Sequence, residues 1–123
     1  MKLQPDRPDT LAVTAHGPGW VAVNGVKHHQ ALLISSQGAC TVWTEGHEPT
    51  KLDFEQALAH QPEVVIYGSG AQLRFASPAA LAGLYQARVG IETMDTPAAC
   101  RTFNILAGEG RRVVALLRMT AAG

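Results

Sequence analysis

Two short segments, Ser77-Pro78-Ala79-Ala80 and Thr96-Pro97-Ala98-Ala99, constrain the fold of this chain more than any other feature. Each reads as a helix start: a hydroxyl at the N-cap, a proline at the first helical position where its missing N–H costs nothing, then good helix formers. Apolar runs bracket them at 64–67, 91–94 and 113–117, so the second half alternates strand, helix, strand, helix, strand. That alternation predicts parallel strands joined by right-handed crossovers. The run Val64-Val65-Ile66-Tyr67 has no polar alternation and leads into Gly68-Ser69-Gly70, as expected for a strand covered on both faces. Leu81, Leu84 and Tyr85 in the first helix, and Ala99, Phe103 and Leu106 in the second, are spaced to face a sheet. Gly90 and Gly108-Glu109-Gly110 mark the helix exits.

The first half reads as β structure. Apolar runs at 11–15, 20–23, 26–35 and 40–43 are separated by turn residues, among them Gly17-Pro18-Gly19 and Asn24-Gly25. The Asn-Gly pair tolerates the positive φ angles of a type I′ turn, which predicts an antiparallel meander. From Asp53 the period changes: Phe54 and Leu58 share a helical face, Asp53 is placed to cap, Gln56 to complete a capping box, and Pro62 to end the helix.

At 123 residues the chain has the size of one domain, 1–123, with 1–10 and 119–123 read as flexible ends. Ten Lys and Arg balance ten Asp and Glu. The positive field that draws a protein to nucleic acid is therefore missing, and no nucleic-acid partner is expected. Cys40 and Cys100 lie far apart without a C-x-x-C, which argues against a disulfide framework or structural zinc and for a reducing compartment. No metal and no cofactor are expected. The segment 1–9 mixes charges with prolines and reads as neither signal nor transit peptide, and no apolar stretch reaches the length of a membrane span. Cytoplasmic location without membrane insertion is the expectation.

Residues able to carry chemistry each have a plainer reading. Gly68-Ser69-Gly70 follows a strand, where phosphate-cradling loops lie, but lacks both G-x-G-x-x-G and P-loop spacing, and a tight turn explains it. Asp95 and Thr96 stand at the end of a parallel strand, where ligands favour the crevice, but Asp and Thr are preferred helix caps, and capping of the following helix is the stronger reading. Arg74, Arg101, Arg111 and Arg112 offer planar forks to an anion or an acidic partner, or are solvated surface. Cys100 in the first turn of a helix is either a dipole-activated nucleophile or a buried inert thiol. The five histidines show no ligand spacing, and Ser35, Ser36 and Ser69 lack the context of a serine hydrolase.

The run 90–106, Gly-Ile-Glu-Thr-Met-Asp-Thr-Pro-Ala-Ala-Cys-Arg-Thr-Phe-Asn-Ile-Leu, is the most specific stretch of the chain. With Val65-Ile66-Tyr67-Gly68-Ser69-Gly70, Leu73-Arg74-Phe75 and Glu109-Gly110-Arg111-Arg112 it resembles the domain of unknown function 498 family. That family includes mitochondrial NADH dehydrogenase (complex I) assembly factor 3 and an adipogenesis-associated cytosolic protein. The resemblance covers the whole second half, with Ala76 standing where many relatives have proline. It implies a three-layer α/β domain: a mixed central sheet, helices on one face and a smaller antiparallel β-layer on the other. It implies no agreed reaction. Function is therefore expected to be that of a non-catalytic binding or assembly-factor-like module with a protein partner, related to a respiratory complex. The alternative is a small-ligand-binding protein or minor enzyme with a polar crevice at the carboxyl ends of the parallel strands. The residues assigned to ligand or partner contact are Gly68, Ser69, Gly70, Arg74, Asp95, Thr96, Arg101, Asn104 and Arg111, with no catalytic residue among them.

Overall fold

The computed structural model describes residues 11–43 and 48–120. Strands β1 (Val13–Gly17), β2 (Trp20–Val23) and β3 (Val26–His28) form the expected antiparallel meander. Asn24 and Gly25 take φ of 49° and 85°, the left-handed pair that a two-residue turn demands. The apolar run 26–35 is not one strand. His29 and Gln30 are exposed and break it, so β3 stays in the meander while β4 (Leu32–Ser35), buried throughout, enters a second sheet.

That second sheet has five strands in the order β5-β4-β8-β6-β7, with β5 at Cys40–Val42, β6 at Val64–Gly68, β7 at Gly90–Met94 and β8 at Val113–Leu117. The strands β6, β7 and β8 are parallel as expected, and β4 joins β8 antiparallel, making the sheet mixed. Wholly buried β6 and β8 lie at its centre, and half-exposed β7 forms one edge.

Helix α1 (Lys51–Glu55) begins one turn earlier than the sequence suggested. Thr50, not Asp53, is the N-cap: Asp53 N–H donates to Thr50 Oγ1 at 3.2 Å and Thr50 N–H to Asp53 Oδ2 at 2.8 Å, a capping box closed by Asp53 rather than Gln56. Residues Gln56–His60 tighten into a 3₁₀ turn. The buried Asp53 carbonyl accepts the Trp43 indole N–H at 3.0 Å, and Trp43, Phe54 and Tyr67 meet edge to face.

Helix α2 (Pro78–Gln86) is capped by Ser77 as read from the sequence. Its buried arc is Ala80, Leu81, Gly83 and Leu84, because α1 lies against Gly83. Tyr85 is thereby turned outward and is 55% exposed, against the expectation that it faces the sheet. Helix α3 (Thr96–Gly108) buries Ala99, Cys100, Phe103 and Ala107.

The layering has one further consequence of topology. The connection from β6 through α2 moves outward to β7, while the one through α3 returns across β6 to β8. Crossovers of one hand running in opposite directions must lie on opposite faces. Accordingly α1 and α2 cover one face, with Leu33, Val65, Tyr67, Val114 and Leu116 beneath them. On the other face α3 lies beside the meander over Leu32, Ile34, Val64, Ile66, Ala115 and Leu117. The helices are thus divided between the two faces rather than gathered on one. After β8, Met119 packs on this second core and Thr120 Oγ1 accepts from Gly19 N–H at 3.2 Å. The proposed ends 1–10 and 121–123 lie outside the described residues, as does His47.

Candidate functional site

At the carboxyl ends of β6, β7 and β8 five of the nine sequence-assigned residues, Gly68, Ser69, Gly70, Asp95 and Thr96, lie together. Thr96 is the first residue of α3, not its cap, and is 2% exposed. Its Oγ1 accepts Gly70 N–H at 2.9 Å and donates to Arg118 C=O at 2.6 Å, while its own N–H donates to Gly70 C=O at 2.8 Å. The cap is Asp95, whose Oδ1 accepts Ala98 N–H at 2.8 Å. This division of labour follows from a proline at the second rather than the first helical position, which moves the cap back by one residue.

Each part of Gly68-Ser69-Gly70 has a structural role. A Cβ on Gly68 would stand 3.0 Å from Ala99 Cβ and 3.1 Å from Thr96 Oγ1, so glycine lets the start of α3 settle against the end of β6. Gly70 takes φ of 102°, which side chains disfavour. Ser69 Oγ donates to Gln72 C=O at 2.7 Å and accepts Arg74 N–H at 2.9 Å, closing the loop on itself. The hydroxyls and amides that suggested a polar crevice are therefore spent on the backbone that carries them.

Asn104 is similarly committed, and to a partner far away in sequence. Its amide pairs with both backbone groups of Val13, Oδ1 accepting from N–H and Nδ2 donating to C=O, each at 2.8 Å. It joins α3 to the outer edge of β1 as a neighbouring strand would.

The arginines do not converge. Arg74 projects from the 69–77 loop with its side chain 71% exposed, 3.9 Å from Glu48 and between exposed Leu73 and Phe75. Arg101 is exposed on α3 and forms no ion pair among the described residues. Arg111 stands at the amino end of β8, across the sheet from the rest, where its Nε lies 3.3 Å from Glu63 Oε1. Arg112 N–H donates to Glu63 Oε2 at 3.0 Å and its guanidinium to Gln61 C=O. These bonds hold the Glu63 carboxyl below its ordinary range, the Arg112 backbone N–H contributing most and the Arg111 side chain next.

Cys100 is 1% exposed, and burial pushes its thiol up to about 11. Desolvation outweighs the neighbouring Arg101 charge, and with α3 starting at Thr96 the thiol lies past the first turn, which favours the inert reading. Among the described residues no group of three or more His, Cys, Asp or Glu could hold a metal ion, and no helix is long and apolar enough to cross a membrane.

Sequence reasoning missed a furrow between β1 and α3. One hollow of about 240 Å³ is lined mainly by apolar surface of Gly17, Pro18, Trp20, Val21 and Pro97. A second, more open one of about 330 Å³ lies among Val13, Thr14, Ala15, Cys100, Arg101 and Asn104, and His16 lines both. The Pro18 and Pro97 positions signalled only a turn and a helix start, and nothing local announces that the two approach each other.

The chain is 33% identical over 120 residues to an uncharacterized protein of Rhodobacter capsulatus, covering 97% of this chain and 94% of that one. It is 29% identical over 113 residues to NADH dehydrogenase [ubiquinone] 1 alpha subcomplex assembly factor 3 of Bos taurus, covering 89% of this chain but only 61% of that longer protein. The crystal structure of a Bordetella parapertussis protein superposes with a TM-score of 0.82 at 37% identity, covering 89% of this chain and 95% of its own. A family profile described as protein of unknown function (DUF498/DUF598) matches residues 13–118, and the chain belongs to that family.

Proposed function

We propose that this chain is a non-catalytic, assembly-factor-like module that works from the cytoplasm by binding a protein component of a respiratory complex. The observation that carries this reading is the contrast within one loop. Ser69 fixes the loop backbone, yet Leu73 and Phe75 stand 55% and 72% exposed on either side of Arg74. An exposed aromatic ring beside a guanidinium on a braced loop pairs two residue types that are enriched at protein interfaces, Phe and Arg. The polar groups that an enzyme would need at the strand ends are, by contrast, used internally. The relationship to an assembly factor of NADH dehydrogenase supports the choice of partner class.

The test is capture of partner proteins from native membranes and cytosol with tagged wild type, Arg74→Glu and Phe75→Ser. Both side chains are exposed, so their substitution should move stability by less than about 0.5 kcal/mol. The expected result is recovery of respiratory-complex subunits or their assembly intermediates by the wild type and loss of that recovery in both variants, at unchanged melting temperature. Capture that survives both substitutions would place the contact elsewhere. Capture of no respiratory protein would remove the partner class.

A further inference from the structure

The furrow between β1 and α3 carries an inference separate from the partner surface. Its apolar end is walled by the Trp20 indole, Pro18 and Val21 on the meander side and by Pro97 on the helix side. Four residues after Pro97, and so one helical turn or about 6 Å farther along the same face of α3, comes Arg101. It lines the second hollow, and His16 belongs to both, so the two hollows adjoin. The cleft thus has an apolar end and a cationic end a turn apart.

Its electrostatics are one-sided. No acidic side chain is among the described residues lining either hollow. Lys27 lies 4.3 Å from the centre of the Trp20 ring, adding a second cation beside the apolar end. Arg101 is exposed and has no ion pair among the described residues. The amide of Asn104 is committed to Val13 and the Thr14 hydroxyl to Ala22 and Gly25, so Arg101, beside His16, is the permanently charged group of this hollow that can receive a ligand head. Guanidinium matches a carboxylate with two parallel hydrogen bonds.

We infer that the furrow binds a small amphipathic carboxylate, a short acyl chain seated between Trp20 and Pro97 with its carboxylate on Arg101. The apolar hollow is smaller than a drug-sized pocket, which limits the ligand to a short chain. Binding is non-covalent and requires no cofactor.

Octanoate, used below its micelle concentration, is a suitable probe, with octanol as the uncharged control. Backbone amide shifts of the ¹⁵N-labelled full chain are followed during titration. The expected result is saturable shifts at Gly17, Trp20, Val21 and Arg101 with octanoate. Octanol should bind the same residues about tenfold more weakly, the loss of one charge-assisted pair. Arg101→Gln should reduce octanoate to the affinity of octanol and leave octanol unchanged, while Arg101→Lys should retain part of the preference. Absence of saturation, shifts confined to other surfaces, or equal octanoate binding by wild type and Arg101→Gln would each overturn the inference. Arg74→Glu should leave the titration untouched, so failure of the partner surface and failure of the furrow are distinguishable.

Discussion

The two ends of the parallel strands are tied together by opposite chemistry. At the carboxyl end a neutral hydroxyl, Thr96 Oγ1, bridges Gly70 and Arg118 in a buried position. At the amino end an exposed carboxylate, Glu63, receives the Arg112 N–H and the Arg111 guanidinium. Both arrangements join the loop flanking β6 to the one flanking β8, so they do the same mechanical work in different dielectric surroundings. Where water is excluded, a lost hydrogen bond leaves its partner orphaned. Where water is present, it takes the partner's place, and salt screens what attraction remains. The carboxyl end, which in parallel sheets usually hosts ligands, is here the more rigidly self-satisfied of the two.

The sharpest way to break this comparison is Thr96→Val, which preserves shape and removes the hydroxyl. Gly70 N–H and Arg118 C=O then lose their bonds to that oxygen within a buried site. We expect a loss of about 2 to 4 kcal/mol in chemical denaturation, and a markedly smaller loss for Thr96→Ser, which keeps the oxygen. The loss should be the same at low and high salt. A Thr96→Val cost below that of Thr96→Ser would show that the methyl group, not the hydroxyl, matters at this end.

A smaller effect is expected one residue earlier. Asp95→Ala removes the side-chain acceptor for Ala98 N–H and should cost about 0.5 to 2 kcal/mol, typically 1. Ser77→Ala at the start of α2 removes the equivalent bond to Ala80 and belongs in the same range, toward its lower part because Ser77 is exposed. If Asp95→Ala proved as costly as Thr96→Val, the hub would be electrostatic and the contrast between the two ends would fail.

These residues also show what is legible in one sequence. Ser77-Pro78 and the Asn24-Gly25 turn are read correctly because cap and turn chemistry acts over two to four residues. The parallel alternation of β6, β7 and β8 is legible for the same reason. Thr50 and Asp53 are both good caps within one turn, so propensity alone misplaces the start of α1. Tyr85 faces outward because α1 packs against Gly83, a tertiary contact that helical periodicity does not encode. The split of helices between faces needs the strand order, which α3 fixes by crossing β6. Gly68, Ser69, Gly70, Asp95 and Thr96 lie at one end of the sheet, but their internal pairing is not foreseeable from residue types alone. Arg111 was grouped with them only because a sequence does not say at which end of a strand its flanking residue matters. The furrow is least legible of all, since Asn104 and Val13 meet across 91 positions.

The smallest effect is expected at the amino end, and its pH and salt dependence carries the information. Glu63 is held below its ordinary range by bonds that favour the ionised form, first from the Arg112 backbone and then from the Arg111 side chain. A carboxyl whose folded value is depressed contributes stability above its unfolded value and loses it as pH falls through the folded one. Wild type should therefore exceed Glu63→Gln in stability at neutral pH. That difference should shrink from the ordinary carboxylate range downward and vanish once Glu63 is protonated in the folded state too. Because the Glu63 and Arg111 side chains are 43% and 45% exposed, added salt should also reduce it. Denaturation midpoints of wild type and Glu63→Gln across acidic to neutral pH, at low and high salt, measure both dependences. A difference that persisted unchanged into acid would mean that the glutamate acts through packing or through hydrogen bonds that the amide cannot replace. The amino end would then resemble the carboxyl end, and the distinction between a buried neutral tie and an exposed ionic one would no longer describe how this sheet is held.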